Sequence, residues 1–197
     1  MRQHIILSVT AIGVSFVVAF IVGLFASRKV GNAEKFINFF SFLRLIPSVA
    51  LLVLAMPILG TGFVPAVIAL AILAAPVIII NTYTGIKNVS IAAKESAESM
   101  GLTSAQTLWY VELPLALPLI VAGLRTASVE VIASATIASL MGAGGLGSLI
   151  FSGLLRNAYE SVFVGAFLVS AIALLAEISL GLVQRVTTHY TIGGRRL

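Results

Sequence analysis

Residues 45–86 read LIPSVALLVLAMPILGTGFVPAVIALAILAAPVIIINTYTGI, and not one of them is charged. A membrane-crossing helix takes about 20 apolar residues, so this run is too long for one crossing and right for two. It divides at Pro57-Ile-Leu-Gly60-Thr-Gly62-Phe-Val-Pro65, where Gly and Pro punctuate a tight turn. Two spans are therefore expected, over about 37–58 and about 64–85.

The rest of the chain follows the same pattern. Ile5 to Ser27 is uncharged and predicts a first span over about 5–27. It exceeds a signal-peptide core of roughly 7–15 residues, and Arg28, Lys29 and Lys35 follow it where a signal would carry its charges in front. Further spans are expected over about 119–140 and 162–184, with a loop over about 86–118 and a Gly-rich segment, 142–153, too short and irregular to cross. Residues 1–197 thus read as a single all-α polytopic membrane domain with five transmembrane helices.

Composition agrees. Hydrophobic residues make up 59% and charged ones 10%, against roughly 45–50% and about 25% in a soluble domain. So few charges cannot clothe a core of this size, which excludes a soluble protein and a nucleic-acid binder despite the net charge of +5. The absence of Asp argues against an EF-hand, a magnesium-dependent phosphoryl-transfer site and an aspartyl dyad. The absence of Cys removes disulfides, thiolate metal sites and Cys nucleophiles.

Charge also sets orientation. With the N-terminus outside, Arg28, Lys29, Lys35, Lys87, Lys94, Arg185, Arg195 and Arg196 all lie inside, and only Arg2 and Arg156 lie outside. Arg44 and Arg125 fall within or beside spans. The positive-inside bias therefore predicts N-out, C-in.

The loop between the third and fourth spans carries the functional signal. Residues 89–100 favour helix through their Ala, Glu, Lys and Met content. Gly101 suits a left-handed helix terminus, and Thr103 with Gln106 has capping-box spacing for a second short helix. Pro114 and Pro118 are expected to end that helix before span four. Glu95-Ser96-Ala97, then Gly101, then Val111-x-Leu113-Pro114 resembles the EAA loop of binding-protein-dependent ABC importer permeases. That pattern is Glu-Ala-Ala, three residues, Gly, nine residues, an aliphatic residue, one residue, Leu-Pro. Every offset matches, with Ser96 for the first Ala and Val111 for Ile. Ile46-Pro-Ser-Val-Ala-Leu-Leu, Gly123-Leu-Arg-Thr-Ala127 and Gly142-Ala-Gly-Gly-Leu-Gly147 resemble the osmoprotectant, quaternary-amine branch.

The resemblance implies a type I ABC importer transmembrane domain, methionine-permease-like, in a bacterial or archaeal inner membrane. It implies that Glu95, Ala97, Glu98, Gly101, Leu113 and Pro114 belong to a coupling helix and its flank, docked on separate ABC ATPase subunits. A second permease subunit, identical or different, and an extracytoplasmic solute-binding protein complete such importers. This chain has no G-x-x-x-x-G-K-[ST] sequence, so ATP and magnesium are expected on the partner and no cofactor on this chain. The expected cargo is glycine betaine, choline or carnitine; the alternative is another small solute such as methionine.

Other constellations weigh less. Gly142, Gly144 and Gly147 satisfy G-x-G-x-x-G, but no strand precedes them and no acid follows about 20 positions on. A permissive turn is the expected role. Glu130 and Glu177 lie at membrane depth, where charge is costly and points to a function or a partner. With Arg125 they are candidates for the translocation path or a subunit interface; the competing role is a structural ion pair with Arg125 or Arg44. A proton-coupled secondary transporter using both carboxylates would leave the coupling loop unexplained. His4 and His189 are expected at opposite membrane interfaces and cannot form one site, which argues against an intramembrane hydrolase. Trp109 and Tyr110 suit the interface or the ATPase contact.

The charge bias predicts that a cysteine at Ser90 is labelled only from the cytoplasm and one at Asn157 only from outside. Labelling in the opposite sense would reverse the topology.

Overall fold

The fold is built around one helix. In a computed structural model describing residues 1–192, Phe63–Lys87 forms α4, the most buried of the long helices. Arg2–Lys29 (α1) packs along one side of it and Leu113–Ala138 (α7) along another. In lipid, apolar burial drives helix association little, so small residues that let backbones approach carry the packing. A Cβ on Gly23 of α1 would sit 2.8 Å from Thr82 Cβ, and one on Gly123 of α7 would sit 2.6 Å from Asn81 Cβ. Ser15 Oγ of α1 donates to the Ala71 carbonyl at 2.9 Å. The core runs through Leu7, Ala11, Leu70, Ala74, Ile78, Val131 and Ala135.

Among the described residues, four helical stretches are long and apolar enough to cross a membrane: Arg2–Lys29, Phe63–Lys87, Ser104–Met141 and Tyr159–His189. The last belongs to α9, Tyr159–Ile192, which packs on α7 and leaves Phe163, Phe167, Leu174 and Leu175 exposed. Such side chains meet lipid or another chain, not water. Arg195 and Arg196 lie outside the described residues.

Three departures from the sequence reading have clear causes. The expected span over 37–58 is two helices, α2 (Ala33–Leu43) and α3 (Ser48–Leu59), meeting at 79°. Pro47 disfavours helix at Ile46 and lacks an N–H. The chain turns through Arg44–Ile46 on tightened bonds, such as Leu45 N–H to the Phe42 carbonyl at 3.0 Å, and restarts after Pro47.

The second departure is that Pro114 and Pro118 end nothing. A short helix, α6 (Ser104–Thr107), runs through a widened π turn at Leu108–Glu112 straight into α7. Leu113 N–H reaches back five residues to the Leu108 carbonyl. The widened turn leaves Pro114 in the first turn of α7, where a missing N–H costs little.

The third lies in the Gly-rich segment, where only residues 142–145 are irregular; Leu146–Leu155 form α8. Its ten residues extend about 15 Å, half a bilayer core. Gly142 and Gly144 turn the chain with φ of +78° and +70°, the permissive role expected of them.

His4, near the start of α1, is fully buried against α7, its Nε2 at 3.1 Å from the Ile132 carbonyl, with the Gly145 backbone against its ring.

Gly147 tests the packing of α8. A Cβ there would collide with the Thr136 carbonyl oxygen, a backbone atom that cannot step aside. Gly147→Ala is expected to cost about 1–3 kcal/mol, read as a lowered melting temperature of the purified protein. Gly13→Ala, with open space around its Cβ, serves as the tolerated control.

Candidate functional site

The loop after α4 folds into a rigid unit. Ser90 caps α5 (Ile91–Ser99), its hydroxyl accepting from Ala93 N–H at 3.3 Å. At the other end Gly101 takes φ +82°. Its N–H donates to the Glu98 carbonyl at 2.9 Å, and Leu102 N–H to the Ala97 carbonyl at 3.1 Å. That pair of bonds is a Schellman terminus, the left-handed ending expected for Gly101. Thr103 and Gln106 then form the reciprocal capping box that opens α6.

The unit has a buried face and an open one. Ala97 is buried, whereas Glu95 and Glu98 are exposed one turn apart. Ile91, Met100, Trp109 and Tyr110 are exposed as well. Large apolar side chains around two free carboxylates make a surface suited to a protein partner. Leu113 points the other way, packed with Ile86, Ala116 and Ile120 against Phe20 and Leu24 of α1. Pro114 is exposed beside it.

The residues expected at membrane depth divide. Arg125 and Glu177 are brought together: one guanidinium nitrogen donates to the Glu177 carboxylate and the other to Gln184 Oε1 at 3.0 Å. Gly181 lies beneath the guanidinium, which ties α7 to α9. Glu130 stands apart, half-buried on α7, in the field of Arg44 at the α2–α3 bend.

One residue was missed. Glu112, in the widened turn, is 2% exposed. Arg28 Nη2 donates to its Oε2 at 2.6 Å, and Lys94 Nζ lies 3.7 Å from its Oε1. The signal available was a lone carboxylate wedged between Val111 and Leu113-Pro114; no spacing along the chain connects it to Arg28.

Residues 15–189 match the family of binding-protein-dependent transport system inner membrane components. The chain is 36% identical over 194 residues to the glycine betaine/carnitine/choline transport system permease protein OpuCB of Bacillus subtilis, covering 98% of this chain and 89% of that one. It is 38% identical over 186 residues to the choline transport system permease protein OpuBB of Bacillus subtilis, covering 94% and 86%. Its fold matches a chain of the MetNI methionine ABC transporter in an inward-facing conformation, with TM-score 0.80, 23% identity, and 94% and 93% of the two chains covered.

The terminus at Gly101 can be tested directly. A Cβ there meets nothing within 4 Å, so the cost of a side chain is backbone strain alone. Gly101→Val is expected to lose about 1–3 kcal/mol locally, seen as faster hydrogen exchange over 91–107. Gly101→Asn, which tolerates positive φ, should lose less.

Proposed function

This chain belongs to the family of binding-protein-dependent transport system inner membrane components, and we propose that it is the permease subunit of an ATP-driven importer for quaternary-amine osmoprotectants. The observation that carries the cargo is identity above one third, across nine-tenths of the chain, to permeases named for glycine betaine, carnitine and choline.

In this reading α5 is the coupling helix. Glu95 and Glu98 offer charge to a basic groove on an ATPase subunit, while Ala97 seats the helix against the permease. ATP and magnesium reside on that partner, and this subunit carries no catalytic group. A binding protein delivers the solute from outside, and a second permease subunit closes the pathway. Closure of the ATPase dimer displaces α5, and the core at Leu113 passes the displacement to α1, α4 and α7. Glu130 and the Arg125–Glu177 pair line the pathway or the contact between the two permease subunits.

The topology proposed is N-out, C-in, with the bent pair α2–α3 serving as one of five crossings. Its support is that Arg28, Lys87 and Lys94 converge on one cleft beside α5, at the same end of the molecule. The Gly62 N–H to Met141 carbonyl bond, 2.6 Å, closes the opposite end.

The reading is tested by reconstituting the chain with its ATPase and binding protein in liposomes and following labelled solutes. Uptake of betaine, choline or carnitine is expected to require internal ATP and to survive a protonophore. Uptake of methionine instead would move the cargo, and collapse with the proton gradient while ATP persists would make it a secondary transporter.

A further inference from the structure

Glu112 is the one buried carboxylate among the described residues. Removing a carboxylate from water is costly unless cations and hydrogen bonds compensate it. Two cations do so, from segments far apart in the chain. Arg28 comes from the last turn of α1, 84 residues away, and Lys94 from the middle of α5.

The three partners are not alike. The Glu112 side chain is 3% exposed, whereas those of Arg28 and Lys94 are 38% and 29% exposed. Either cation can leave for water, but Glu112 cannot. The Arg28 contact is short, at 2.6 Å, and the Lys94 contact longer, at 3.7 Å. Alongside lies a polar cleft of about 270 Å³, lined by Ser27, Lys87 and Thr107 among others. The Thr107 hydroxyl is buried there without a hydrogen-bond partner. Lys94 therefore has room to move, and Glu112 holds it to Arg28.

We propose that Glu112 is a positioning residue for transport, an ionic joint through which displacement of α5 is transmitted to α1. The chain itself links α5 only to α4 and α6, so α1 depends on contacts across space to follow. The apolar cluster at Leu113 joins α4 and α7 to α1 but includes no residue of α5. The Lys94–Glu112–Arg28 bridge links α5 to α1 directionally, and it pulls as well as pushes. This inference rests on the reading of α5 as the helix driven by an ATPase partner.

The test uses the complete reconstituted transporter, with solute uptake and ATP hydrolysis measured together. Glu112→Gln and Lys94→Gln are expected to retain their ATPase subunits, while solute taken up per ATP falls by roughly three- to tenfold. Lys94→Arg, which preserves the charge, should restore the ratio. The double variant Glu112→Gln/Lys94→Gln should be no worse than Glu112→Gln, because both changes break the same contact. A merely structural role would lower the yield or melting temperature additively and leave the ratio of the surviving complex unchanged, and that result overturns the proposal. If Glu112→Gln fails to assemble, Lys94→Gln decides: a wild-type ratio sinks the idea, and a lowered ratio rescued by Lys94→Arg upholds it. An unmodified complex that never couples ATP to uptake would refute the importer reading itself, before any variant is compared.

Discussion

Close backbone approach around α4 is the constraint on which this molecule depends. A helix in lipid gains little by exchanging lipid contacts for leucine contacts. What holds α1 and α7 against α4 is proximity: Gly23 against Thr82, Gly123 against Asn81, and a ladder of alanines between. Proximity brings dispersion contacts and brings polar groups within reach of carbonyls, as with Ser15 on Ala71 and His4 on Ile132. Each bond settles a group that hydrocarbon would leave stranded. Everything else is hung on this three-helix slab, including α9, whose charged tie through Arg125 and Glu177 supplements the packing of α8.

The α5–α6 unit obeys a different rule. It is held by local capping instead of burial: Ser90 at one end of α5, a left-handed Gly101 at the other, and the Thr103–Gln106 box after it. Such bonds set angles between short helices while leaving their outer faces free. Under the proposed coupling role, that arrangement lets the unit keep its shape while being pushed as a body. Its attachment to the slab is where apolar and ionic contacts meet, at Leu113 and Glu112.

The pattern of legibility in the sequence follows from these two rules. Features encoded by neighbours in the chain could be read: the division of the long uncharged run near Gly60, the glycine terminus at residue 101, the capping box. Features that depend on a competition between local signals were misjudged. Pro47 broke a helix where hydropathy suggested continuity, and Pro114 failed to break one because a widened turn absorbed it. Features made by distant segments could not be seen. Nothing near His4 announces that Ile132 and Gly145 will enclose it, and nothing near Glu112 names Arg28. Membrane proteins sharpen this divide, since composition reveals which segments are in lipid but says little of which faces meet.

The pairing of α1 with α7 has a consequence for biosynthesis. Helix α1 carries His4, Ser8 and Ser15 on its buried face, and the partners of His4 and Ser15 are made well after it. The acceptor for Ser15 is Ala71 and the one for His4 is Ile132. At a synthesis rate of about 5–20 residues per second, on the order of ten seconds separate the appearance of His4 from that of its acceptor. For that interval a helix with unsatisfied polar groups must be kept from lipid and from wrong partners. The fold therefore calls for shelter beside the nascent chain, held until α7 is made.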